Sequence, residues 1–363
     1  MMNKEIDNKL ELKRIAIFLG ITFFLTYGVE IFLIRHMVGS SDLNRAYLAQ
    51  MLVAGVMFFP ACGALLARLL TGEKLSKDNL KLAPNLKGNL KYYGMAWFGT
   101  VFLIFFGAVL YFLIFPNHFD KDMGYVKVLY ESQGVTVNNS ELRGIMITQA
   151  LMGIFLSPVL NFVNCFGEEW GWRGYLLPKM LGRFKVVPAL LITGLIWGLW
   201  HAPLTVMGHN YGLGYKGYPV TGIFAMCLFC IVMGILFSYV TIRTGSCIPA
   251  VIGHAVLNGL SAIGLCFTSL QNPYNIFLGP APTGVIGGMG FILLAAVLLT
   301  LLYKEEKQKE IAKVSLQINT ILENKELARQ KKELELARAR QDYDTTARIE
   351  DTQVGRALEE YVQ

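Results

Sequence analysis

Glu168-Glu169-Trp170-Gly171-Trp172-Arg173 sets three ionisable side chains in the middle of a chain that otherwise reads as membrane. Upstream lies the apolar run from Ile145 to Phe166, and downstream, past a short basic turn, another from Val187 to Leu204. A charge at the centre of a bilayer costs about 2.5 to 3.5 kcal/mol on insertion scales, so three together must face a protein interior or a wet cavity. On a helix Glu169 and Arg173 stand at i and i+4, where they can pair. Glu168 is turned about 100° away and has no local partner, which suits it to act as a general base. The same three residues also read as a structural charge cluster that holds helices together.

Composition sets the class. The 363 residues are 54% hydrophobic and only 16% charged, far from a soluble enzyme and close to a polytopic membrane protein. The six cysteines all fall in or beside apolar runs and read as small buried residues, not as a disulfide framework. Cys227 and Cys230 form a C-x-x-C, but within an apolar span and without a second pair. The net charge of +7 comes without an aromatic-interleaved basic patch, so it reads as loop charge facing anionic lipid and not as a nucleic-acid surface. The first apolar run, Ile15 to Ile34, is too long for the core of a cleavable signal and lacks a small-residue cleavage site, so it is expected to remain as a span.

The patterning predicts an all-α, polytopic membrane protein of about eight transmembrane helices, each near the ~20 apolar residues that a bilayer core demands. The expected spans are Ile15 to Ile34, Tyr47 to Leu70, Tyr92 to Phe115, an unusually long one from Arg143 to Leu181, Val187 to Leu204, Val220 to Ile242, Pro249 to Phe267 and Gly284 to Tyr303. Residues 1–142 thus hold three spans with their loops, and 143–303 a five-span core. Lys and Arg concentrate in alternate loops, namely the N-terminus, 71–91, 182–186 and the C-terminal segment. The positive-inside rule then puts both termini in the cytoplasm, most simply of a bacterial plasma membrane. After Tyr303 the composition turns to Lys, Glu, Ala, Arg and Gln. Residues 304–363 read as a soluble helical tail whose Ile311, Val314, Ile318 and Ile321 keep a coiled-coil spacing, and which in part has the look of an appended segment.

Two further sites break the apolar pattern. Of the five histidines only His201 and His254 lie in apolar runs, while His36, His118 and His209 fall in loops. His254 and Asn258 stand four apart and share a helix face. A lone membrane histidine usually makes a helix–helix hydrogen bond. Here, however, the long span and its successor form an antiparallel hairpin turning near Phe184, with Glu168 and His201 at similar distances along its arms. That brings both to a depth of roughly 10 to 15 Å. Pro249, suited to a first helical turn, sets His254 and Asn258 at a comparable level. A carboxylate with a histidine can activate water for attack on a carbonyl, and a second histidine with an amide can stabilise the oxyanion. Neither a G-x-S-x-G nor an H-E-x-x-H is present, so serine and ordinary zincin routes lack their motifs.

Glu168-Glu169-x-x-x-Arg173, an aromatic-x-x-x-His ending at His201, and His254-x-x-x-Asn258, in that order on late spans, resemble the CAAX protease and bacteriocin-processing (Abi) intramembrane proteases, which include the CAAX prenyl endopeptidases of the Ras-converting type. The resemblance covers about residues 145–268. It departs at Trp197, where the family often has Phe, read as a conservative change at a packing position. It implies Glu168 and His201 as the water-activating pair, His254 and Asn258 as stabilisers of the tetrahedral intermediate, and Glu169 with Arg173 as support. The implied substrates are prenylated CAAX proteins or, in bacterial relatives, leader, signalling or bacteriocin-type peptides, with membrane lipid and no nucleic acid as partners. No cofactor is expected; the alternative is a zinc ion on Glu168, His201 and His254 with water in the fourth position. Other classes compatible with the residues are a non-catalytic membrane adaptor or immunity protein that binds a peptide, and a transporter, which the clustering of polar residues disfavours.

Overall fold

A computed structural model describes residues 2–362; the side chains of 2–7, 77 and 78, and of a few tail positions, are not considered. The chain is 77% helical with no strand among the described residues. In lipid no water is at hand to satisfy backbone N–H and C=O groups, so a spanning segment must satisfy them within itself, as a helix does.

Six helices are long and apolar enough to cross a bilayer: Asn8–His36, Leu43–Leu70, Leu90–Ile114, Asn139–Leu160, Val220–Thr244 and Ile248–Phe267. We name the helices used below α1 (Met2–Phe32), α2 (Leu43–Leu70), α3 (Leu90–Ile114), α4 (Asn139–Leu160), α5 (Phe162–Glu169), α6 (Val186–Trp200), α7 (Val220–Thr244), α8 (Ile248–Leu260) and α9 (Met289–Val362). About eight spans are thus not confirmed, and the helices differ from the expected bounds at three places. α6 has only 15 residues, and the apolar run expected to end at Tyr303 is the opening part of α9. The expected span from Arg143 to Leu181 is two pieces, α4 and α5, separated at Asn161; α5 runs on through widened π-helical turns over Trp170–Leu176 into a final helical piece, Leu177–Arg183.

Proline shapes two places, the widened π-helical turns Met152–Leu156 just before Pro158 and the end of α6. Proline has no N–H to give the carbonyl four residues back, and its ring crowds that carbonyl. Pro158 therefore leaves the Ile154 carbonyl without its helical partner, and Trp97 Nε1 donates to it over 2.7 Å. Pro203 does the same to the Leu199 carbonyl, which accepts from the Tyr27 hydroxyl at 2.7 Å. Helix α6 accordingly stops at Trp200, before the expected Leu204, and a short helix, Ala202–Val206, follows. Each freed acceptor thus becomes a tie to another span.

Contact is most extensive between α6 and α7. A Cβ placed on Gly194 would lie 2.6 Å from the Ile231 Cα, and one on Gly198 2.5 Å from the Cys227 Cα. The two glycines, four apart, let the backbones approach as small residues do in membrane bundles, where lipid tails supply no hydrophobic drive. The buried core is continuous from Phe18 on α1 through Trp172, Trp197 and Trp200 to Phe237 on α7 and Val256 and Leu257 on α8.

The chain divides into two compact units, Met1–Tyr303 and Lys304–Gln363. The second unit is helical in itself. Its Ile311, Val314, Ile318 and Ile321 are all more than half exposed.

Candidate functional site

Helix α5 presents its acidic pair by packing hard against the break in α2. A Cβ on Gly167 would stand 2.6 Å from the Met57 carbonyl oxygen, so the backbone just before Glu168 sits directly on that of α2. Glu168 and Glu169 are both buried, at 2% and 0% exposure, and they take different partners.

Glu169 Oε1 accepts from Arg173 Nη1 at 2.9 Å, and His254 Nδ1 lies 2.9 Å from the same oxygen. The guanidinium is itself fully buried and lies 4.2 Å above the Trp197 ring and 5.4 Å from that of Phe237. Glu169, Arg173 and His254 thus form one compact group spanning α5, the π-helical turns and α8. Its role in the bundle is to neutralise charges that would be costly to bury singly.

Glu168 lies outside that group. Its Oε2 accepts from Trp197 Nε1 at 2.8 Å, a neutral donor, and Oε1 has no comparable bond among the described contacts. His201, at the end of α6, places Nδ1 2.9 Å from the Trp197 carbonyl. A carbonyl only accepts, so Nδ1 carries the hydrogen and Nε2 keeps its lone pair. The Cys230 sulfur is 3.8 Å from the same Nδ1. Trp197 therefore touches both groups, with its indole edge on Glu168 and its backbone on His201. The sequence reading of this position as plain aromatic packing is corrected by the indole N–H, which a phenyl ring lacks.

Glu168, His201, His254 and Asn258 line one cavity of about 310 Å³, whose walls also include Trp197, Trp200, Gln50, His209 and Asn210. A volume of that size holds several waters or a short stretch of peptide. Asn258 Nδ2 reaches the Cys165 sulfur at 3.6 Å, a weak contact that leaves the amide available at the wall. His254 stands 5.5 Å from the Trp197 ring, which is 5.7 Å from that of His201, so one indole separates the two imidazoles.

Sequence reading missed three features of this site. The first is Trp197 as a hydrogen-bond donor. The second is the return of His209 and Asn210 to the cavity wall, where the loop is held by Tyr211, 1% exposed and stacked 5.5 Å from Phe277. Burial pushes the Tyr211 phenol up from its ordinary range, so it stays neutral and donates to the Thr283 carbonyl at 3.3 Å. The third is Glu30 on α1, fully buried, with neither carboxyl oxygen hydrogen-bonded among the described residues. As the one acid in an apolar run it was visible, and an acid there points to function or to cost. Gln50, His209, Asn210, Ser261 and Thr283, which lie in or beside the loops poor in Lys and Arg, complete the cavity wall.

Among the described residues no three His, Cys, Asp or Glu side chains converge closely enough to hold a metal ion. The bonds of Glu168 Oε2 to Trp197, of His254 Nδ1 to Glu169 and of His201 Nδ1 to a carbonyl leave Glu168 Oε1 and the two Nε2 atoms as the donors that would have to converge on a metal.

The fold and this cavity define a class: a multi-pass integral membrane protein with a buried carboxylate–imidazole site. Residues 148–260 match the family model described as Type II CAAX prenyl endopeptidase Rce1-like, so this stretch is similar to that family. The chain is also similar to CAAX prenyl protease 2 of Methanococcus maripaludis, 29% identical over 92 residues. That alignment covers 25% of this chain and about a third (34%) of the relative's length.

Proposed function

We propose that this protein is an intramembrane endopeptidase that hydrolyses a peptide bond of a membrane-associated substrate with water activated by Glu168 and His201. The observation that carries the reading is the bonding of Glu168: a buried carboxylate engaged by a neutral indole N–H, and not by the nearby Arg173, in the same cavity as the free Nε2 of His201.

In this reaction a water between Glu168 and His201 gives up a proton as its oxygen bonds to the scissile carbonyl carbon. The carbonyl oxygen becomes an oxyanion and accepts hydrogen bonds from Asn258 Nδ2 and His254 Nε2. Donation through Nε2 requires hydrogen on both ring nitrogens of His254, with Nδ1 donating to Glu169. Collapse of the intermediate breaks the C–N bond, and the proton held at Glu168 passes to the leaving amine. No step is routed through a metal.

A prenylated CAAX-like C-terminus is the substrate class best supported, with leader or signal peptides as the other members of the reading. The relative's name points to a prenylated substrate. Beside the catalytic cavity lies a second cavity of about 270 Å³ between α7 and residues 277–292, lined by Phe224, Leu228, Val232, Phe291 and Ile292. It shares Phe229 and Thr283 with the catalytic cavity, so an apolar chain attached to a peptide in one would find an apolar wall in the other.

Glu168→Gln tests the proposal, because it keeps size and hydrogen bonding but removes the base. Mass spectrometry of membrane-associated peptides from cells carrying either form should show cleavage products only with Glu168. Unchanged processing by the stable, inserted variant would end the enzyme reading.

A further inference from the structure

At the end of the first unit that carries the lysine-rich loops lies a cavity of about 640 Å³ that the hydrolytic chemistry does not use. Among the described residues, six of its lining side chains are cationic, Arg14, Arg68, Lys74, Lys81, Lys179 and Arg183, against two carboxylates, Glu11 and Glu73. The inner part is an ion-pair network. Lys179 Nζ lies 3.0 Å from both Glu11 Oε2 and Glu73 Oε1, Arg68 Nη1 is 3.0 Å from Glu73 Oε1, and Arg14 pairs with Glu11 and lies 3.5 Å from Glu73. Three cations thus share two carboxylates, which leaves a surplus positive charge behind the rim.

Arg68 carries the strongest sign of a missing ligand. It is 2% exposed, its Nη2 donates to the Asn79 carbonyl at 2.9 Å, and its Nε has no hydrogen-bond partner among the described residues. A buried charged donor left unsatisfied is costly unless an acceptor reaches it. The rim adds Lys74, Lys81 and Arg183. Among the described residues none of the three has a carboxylate partner, and Arg183 Nη1 donates only to the Asn8 carbonyl at 2.9 Å.

From this we propose that the cavity is a binding site for a phosphate group, either the phosphodiester of an anionic lipid headgroup or a free phosphate. A phosphate offers several acceptor oxygens and one or two negative charges, which match a surplus of cations around a single unpartnered donor. The position suits a headgroup, since the cavity is bounded by helix ends and their loops, and basic pockets between spans at that level take anionic headgroups. The proposal stands apart from the hydrolase reading, because no residue of the catalytic cavity lines this one.

The test uses the full chain in detergent micelles and follows thermal unfolding with added phosphatidylglycerol, phosphatidylcholine, or inorganic phosphate, against sodium chloride of equal ionic strength. A ligand held at many times its Kd should raise the Tm by about 3 °C or more. The comparison variant is Lys74→Gln/Lys81→Gln/Arg183→Gln, which leaves the inner network intact and is expected to keep the Tm of the free protein. A rise with phosphatidylglycerol alone, lost in the triple variant, assigns a lipid headgroup. A rise with inorganic phosphate that is likewise lost in the variant assigns a free phosphate. The proposal fails if neither probe shifts the Tm, if phosphatidylcholine or chloride shifts it equally, or if the triple variant responds like the wild type.

Discussion

Trp197 donates its indole N–H to Glu168 across 2.8 Å while its ring face lies 4.2 Å beneath the Arg173 guanidinium. One side chain therefore holds both halves of the site, the carboxylate through a polar edge and the cation through an aromatic face. The two contacts can be separated, because phenylalanine keeps the face and loses the edge. Trp197→Phe should leave the protein folded and inserted and lower kcat about 10-fold or more, the loss expected when a hydrogen bond to a charged group is removed. Peptide-cleavage kinetics beside a melting curve decide it. Wild-type turnover with the wild-type melting curve would show that the bond does not position Glu168.

Arg173→Ala isolates the other half. Glu169 and Arg173 are both fully buried, and His254 leans on the same carboxylate oxygen. Removing the guanidinium leaves a buried acid without its cation, which costs about 3 to 5 kcal/mol. The expected result is poor accumulation in membranes and an early thermal transition in detergent. A variant as stable as the wild type would show that the pair carries no structural weight.

Much of this arrangement was legible in the sequence, and the reason is local geometry. The spacing of Glu169 and Arg173 on one helix fixes a contact that needs no knowledge of the rest of the fold. His201 and His254 stood out because they are the two of five histidines that lie in apolar runs. The widened turns before Pro158 and the helix end after Trp200 were harder. Pro158 and Pro203 were in plain view, but membrane helices often tolerate proline, and whether one breaks depends on what serves the freed carbonyl. Those partners, Trp97 and Tyr27, are 57 and 172 residues away from the carbonyls they serve, so no local pattern announces them. The same distance in sequence hid the tie between Trp197 and Glu168.

Glu30 is the buried acid that nothing in the proposed reaction employs. Its helix is tied to the site by two bonds, from Trp200 Nε1 to Thr26 Oγ1 at 2.7 Å and from the Tyr27 hydroxyl to the Leu199 carbonyl, but its own oxygens have no partner among the described residues. Burying a polar group without a hydrogen bond costs about 1 to 3 kcal/mol on the protein mutational scale. Glu30→Met keeps the volume close and removes that cost, so it should raise the midpoint of thermal unfolding in detergent. A lower midpoint would mean that the carboxyl has a stabilising partner, such as an ordered water.

Metal dependence turns on whether the donor atoms can meet. A zinc triad of Glu168, His201 and His254 would use Glu168 Oε1 and the two Nε2 atoms, because the bonds to Trp197 and Glu169 occupy only Glu168 Oε2 and His254 Nδ1. No three candidate ligands converge among the described residues. Cleavage by the purified protein should therefore persist after prolonged exposure to excess 1,10-phenanthroline followed by dialysis into metal-free buffer, and elemental analysis should find well under one zinc per chain. Activity that vanishes under chelation and returns with added zinc would show that Glu168 and the two imidazoles do converge on a metal, and would overturn the metal-free reading.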